Sequence, residues 1–127
     1  GQVMAASAQI ITLPTSVETV EVLAARNAIC LARELQFNKI IIEGDSEVVI
    51  KTLNRSCASS TSFGHIIHDI KCAAAAFSEI NFYHTCRQGN KVAHAIARSV
   101  CNFPPFIVWM EDVPPDILSV YTFELVQ

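Results

Sequence analysis

Glu21, Asp45, His84 and His94 are the side chains of this chain whose type and position point to acid–base or metal chemistry. The spacing predicts a helix from about residue 16 to residue 36, with Val17, Val20, Ala24, Ala28, Leu31 and Leu35 on one stripe. At 100° per residue, Glu21 falls only about 40° from Val17, inside the stripe expected to face the core. A carboxylate there has to be paired, hydrogen-bonded, metal-bound or protonated, because unpaired burial costs several kcal/mol. The competing reading is a glutamate at the stripe edge that reaches solvent or Arg26. Asp45 follows an apolar run and directly precedes a helix, the place where ligand sites of α/β sheets gather. It is equally suited to cap that helix through a backbone N–H. Both readings stay open on the residues alone.

Further along, His84 stands at a strand end, and Asn90 and His94 are four apart, on one face of a helix. Taken singly, a histidine such as His94 is more often a surface or satisfied core residue than a ligand. His65 and His68 lie three apart at a helix start, with Asp69 the one neighbour that could extend them into a metal group. Arg87, Lys91 and Arg98 are placed to touch phosphate or to form an ordinary solvated face. Trp109-Met110-Glu111-Asp112 reads as packing followed by solvated acids.

These residues must be held by an alternating set of elements. Residues 2–13 read as a strand ending at Pro14, and Thr15 or Ser16 caps the following helix, with Thr15 to Glu18 at capping-box spacing. Residues 39–43 (KIIIE) are a β-branched run of the kind buried in parallel sheets. Gly44-Asp45-Ser46 turns into a helix with Val48, Val49, Ile50 and Leu53. After a polar loop at 54–61, a helix over about 64–77 buries Ile66, Ile67, Ile70, Ala73, Ala74 and Phe77. Residues 79–86 alternate as a strand, 87–90 turn, and 91–100 form a helix. The remainder is expected to be irregular with a single helical turn. Strand, helix, strand, helix, helix, strand, helix is an α/β order.

Composition bounds the rest. With 127 residues, 51% of them apolar and 17% charged, the chain supports a folded core and is not of disordered composition. Its mean hydropathy is high at +0.36, yet no apolar run reaches the ~18 residues of a membrane span, so no membrane partner is expected. Nine basic against twelve acidic residues give a net charge of −3. That balance disfavours non-specific phosphate binding, so any nucleic-acid role rests on a local site. Five cysteines without a CxxC pair fit a reducing intracellular compartment, nuclear or cytoplasmic, rather than a disulfide or zinc-ribbon framework. The start at Gly1 reads as that of a fragment.

VEVLAARNAICLA, KIIIEGDSEVVIKTLN and FYHTCRQGNKVAHAIAR, in this order and spacing, resemble the ribonuclease H type 1 domain. The likeness is greatest to the plant branch related to reverse transcriptases of non-LTR retroelements. It extends from Gly1 to about Asp116, giving a truncated domain over residues 1–116 and a tail over 117–127. The resemblance implies an α/β fold, a ribonuclease H-like mixed sheet with flanking helices. It also implies a substrate, the RNA strand of an RNA–DNA hybrid or another nucleic acid, cut with Mg2+ held by carboxylates, Mn2+ being the substitute. Under it Glu21 matches the family's helix glutamate, Asp45 the aspartate ending the central strand, and His84 the loop histidine that assists catalysis or product release. Glu21 and Asp45 are thus the expected metal ligands, and His94 stands where the family has its last carboxylate.

Two departures from the family pattern imply impaired cleavage. No N-x-D-G-A block occurs in this sequence, and His94 replaces a carboxylate with a neutral imidazole, a poor magnesium ligand. The family's first two strands are accordingly expected to be absent from residues 1–127. The first of them would lie between the opening strand and residues 39–43. Its absence predicts self-association through an exposed strand edge, or pairing of residues 2–12 with the KIIIE strand. The rival expectation is an inactive remnant that binds nucleic acid or a protein partner.

Overall fold

The computed structural model describes residues 5–9, 16–55, 63–98 and 106–110. They run β1 (Ala5–Gln9), α1 (Val17–Glu34), β2 (Lys39–Gly44), α2 (Glu47–Asn54), α3 (Gly64–Ala74), β3 (Glu79–His84), a 3-10 turn (Arg87–Asn90), α4 (Lys91–Arg98) and β4 (Phe106–Met110). The chain divides into two compact units, Pro14–Cys86 and a second made of Gly1–Leu13 with Arg87–Gln127. Residues 1–4, 10–15, 56–62, 99–105 and 111–127 lie outside the described residues, and with them the ends of the expected opening strand, the capping-box Thr15 and the tail.

In the first unit, α1 starts at Ser16, whose Oγ accepts the Thr19 N–H at 3.1 Å. Glu18 in the first turn and Arg33 in the last both complement the helix dipole. The helix ends in a paired cap: Gln36 N–H donates to Arg33 O and Phe37 N–H to Ala32 O. That geometry requires a left-handed residue after Leu35, and Gln36 supplies it at φ 64.

The buried face of α1 is not the expected one. Val22 and Ile29 are fully buried, with Leu23, Ala25 and Ala32 packed beside them, whereas Val17 is 73% exposed and Val20, Ala24 and Ala28 lie outward. Two stripes competed on this helix. The one carrying the branched pair Val22 and Ile29 removes more apolar area from water than one centred on alanines. Glu21, half-buried, sits about 40° from Ala25 at the margin of the true core face.

Against this face pack the inner sides of α3 (Ile66, Ile67, Ile70) and α2 (Val49, Ile50, Leu53), with Phe63 and Phe77 closing the core. Val48, on the outer side of α2, is 57% exposed. Underneath lie Ile40 and Ile42 of β2 and Ile80 and Phe82 of β3. The two strands are parallel, in register from Lys39↔Glu79 to Gly44↔His84. The α2–α3 segment is therefore a crossover, the connection parallel strands need. β2 alternates in exposure, with Ile41 61% exposed, so it is not a strand covered on both faces as expected.

In the second unit, β1 pairs antiparallel with β4, from Ala5↔Met110 to Gln9↔Phe106. Two expectations fall here. Residues 106–110 are a strand rather than irregular chain, and β1 pairs with them rather than with KIIIE. The run FIVWM has the β-branched and aromatic character that favours a strand, even between flanking prolines. α4 follows the 3-10 turn and buries Ile96. No helix among the described residues is long and apolar enough to cross a membrane.

Candidate functional site

Parallel pairing decides where the chemistry-bearing side chains of the first unit emerge. Because Gly44 is in register with His84, the carboxyl ends of β2 and β3 come out side by side. Thr85 N–H donates to Gly44 O at 2.9 Å and carries the ladder one residue beyond the strands. Asp45 therefore stands at the same edge as His84, half-buried where His84 is exposed. Asn54, at the far end of α2, donates through Nδ2 to Phe82 O at 3.1 Å and ties that helix to β3.

The cap of α2 is Ser46, not Asp45: Ser46 Oγ accepts the Val49 N–H at 3.4 Å. The N-cap position of that helix is thus filled by the neighbouring hydroxyl, and Asp45 stands one residue before it.

A residue missed at the sequence level joins this edge. Glu47, fully exposed in the first turn of α2, has its carboxyl held below the usual range. The cause is first the hydrogen bond and charge of Lys51, whose Nζ lies 2.9 Å from Oε1, and then the positive charge of His84. Imidazole and carboxylate thus sense each other across the end of the parallel pair. The signal was present in the sequence as a second acid two residues after Asp45, with a lysine four residues further on.

Glu21 is carried on α1, which packs on β2, and it belongs to the same unit as Asp45 and His84. Arg26, the alternative partner considered for Glu21, lies 3.8 Å from Asp69 of α3. His94 is half-buried on α4, in the other unit, and Asn90 closes the 3-10 turn before it. Among the described residues, no three His, Cys, Asp or Glu side chains are arranged to hold a metal ion. Glu21 and Asp45 are hard oxygen donors of the kind Mg2+ takes. Two carboxylates carry two negative charges against the four positive charges of a magnesium pair. Glu21 and Asp45 alone would balance the charge of one divalent cation and not of two.

Comparison with known proteins places this geometry. The model of the family described as reverse transcriptase-like matches residues 1–100. Among solved structures, the RNase H1 of the halophilic archaeon Halobacterium salinarum NRC-1 superposes with a TM-score of 0.64 at 21% identity, over 69% of this chain and 67% of that one. At that identity the likeness is one of fold, an α/β arrangement with a small parallel sheet and flanking helices. No curated protein matches the sequence.

Proposed function

Because the chain belongs to the reverse transcriptase-like family and has a ribonuclease H type 1 fold, we propose that it acts on RNA–DNA hybrids, with impaired hydrolysis. The observation that carries this reading is the shared edge of β2 and β3, where a carboxylate (Asp45) and an imidazole (His84) emerge together. Glu21 and Asp45 would hold a single Mg2+ or Mn2+, which when bound would supply Lewis-acid activation of water and of a phosphoryl oxygen. His84, exposed at the end of β3, protonates the departing sugar oxygen as the phosphodiester is cut. In the other unit, Arg87, Lys91 and Arg98 are cations suited to phosphate, in a chain whose net charge of −3 gives no general attraction. Slow cleavage is the expected consequence, because Glu21 and Asp45 alone would leave the second ion of a paired-metal mechanism uncompensated.

The test is a labelled RNA–DNA hybrid offered to the full chain beside duplex DNA and duplex RNA. Binding that prefers the hybrid, with slow metal-dependent release of RNA fragments, is the expected outcome. Equal affinity for all three duplexes with no cleavage would remove hybrid recognition from the account. Hybrid binding that persists without metal and with no turnover would favour the second reading, an inactive nucleic-acid-binding domain. The net charge of the donor set is the observation behind that second reading.

A further inference from the structure

The outward side of α3 carries His65, His68, Asp69 and Cys72, all exposed. Sequence spacing suggested His65, His68 and Asp69 as a group, but Asp69 lies toward Arg26 of α1. A different pair comes together. His68 Nε2 and Cys72 Sγ, one helical turn apart, are separated by 3.6 Å.

We propose that His68 and Cys72 form a two-ligand clamp for a soft tetrahedral cation, Zn2+. Zinc binds imidazole nitrogen at about 2.0–2.1 Å and thiolate sulfur at about 2.3 Å, and a tetrahedral angle between them separates N from S by about 3.6 Å. The side chains already stand at that bite distance, so the ion meets a preformed pair. The i,i+4 spacing on a regular helix fixes the separation, and the helix is anchored from behind by Ile66, Ile67 and Ile70 in the core. Exposure of both residues lets a hydrated ion approach.

On binding, the ion exchanges two of its waters for Nε2 and Sγ, and the thiol proton passes to solvent. No third His, Cys, Asp or Glu among the described residues completes the group, so the other positions keep water. Thiolate and imidazole select zinc over magnesium, which keeps this site chemically separate from the carboxylates Glu21 and Asp45. Occupancy would tie two successive turns of α3 together.

The probe is Co2+ titrated into the full chain at neutral pH, following the sulfur-to-cobalt charge-transfer band. The wild type is expected to give the band at one ion per chain, and Zn2+ to abolish it by displacement. Cys72→Ser and His68→Ala should each lose it, while His65→Ala keeps it, with unchanged far-UV circular dichroism in all three. In parallel, Zn2+ should protect Cys72 from alkylation in the wild-type chain, read by peptide mass. The proposal is overturned if the wild type gives no band, or if the band survives Cys72→Ser because another of the five cysteines supplies the sulfur. Survival in His68→Ala, or no protection of Cys72, would overturn it too.

Discussion

Ser46→Ala and Asp45→Ala separate the structural residue at the head of α2 from the chemical one. Ser46 accepts the capping hydrogen bond there, from Val49 N–H at 3.4 Å. A serine cap contributes about 0.5–2 kcal/mol, and a contact this long belongs at the low end, about 0.5–1 kcal/mol. With a urea m-value of about 1.5 kcal/mol/M, its loss should lower the unfolding midpoint by about 0.3–0.7 M. Asp45→Ala should move the midpoint by less than half as much while depressing activity on an RNA–DNA hybrid. The assay is urea denaturation of both variants and the wild type, followed by far-UV circular dichroism. If Asp45→Ala lowers the midpoint as much as Ser46→Ala or more, the aspartate is serving the helix, and its assignment to chemistry loses its structural support.

Gln36→Gly should raise stability by about 1 kcal/mol in the same denaturation assay, since Gln36 is held at φ 64, where glycine carries no side-chain penalty. Ile70→Ala empties a fully buried position between α3 and α1 and should cost about 2–5 kcal/mol. Ile41→Ala, at a site 61% exposed, should cost under about 1 kcal/mol in the parallel denaturation curve. For Glu47, carboxyl NMR should show titration below the ordinary glutamate range, with Lys51→Ala raising the pKa more than His84→Ala does. A lowered folded-state pKa means the contribution to stability is present above the unfolded value of about 4.3 and is lost as pH falls through the folded one. Full exposure of this group makes that contribution sensitive to salt.

Local pattern carried much of the fold. The KIIIE run, the turn Gly44-Asp45-Ser46 and the alternation at 79–84 announce β2, the start of α2 and β3, and the crossover between them makes the strands parallel. The face of α1 was not legible, because apolar residues line two sides of the helix. Only the neighbours Ile66, Ile67 and Ile70 decide for Val22 and Ile29. Nor was the β1–β4 pairing, which joins residues about a hundred positions apart and leaves no periodic trace. At the site, Asp45 and His84 could be singled out from their positions at strand ends, but the register that brings them to one edge is a property of the sheet. Glu47 carries no mark in the local pattern, and its coupling to His84 arises only when α2 and β3 meet. Around His68 the sequence pointed to Asp69, whereas the helix brings Cys72, four residues on, to the imidazole.

The most direct test of the central claim is cleavage of an end-labelled RNA–DNA hybrid by the full chain in Mg2+ and in Mn2+, beside Asp45→Asn. The account predicts slow cutting of the RNA strand that depends on the metal, runs faster in Mn2+ and disappears in Asp45→Asn. Cleavage undiminished in Asp45→Asn, or none by the wild type in either metal, would contradict it.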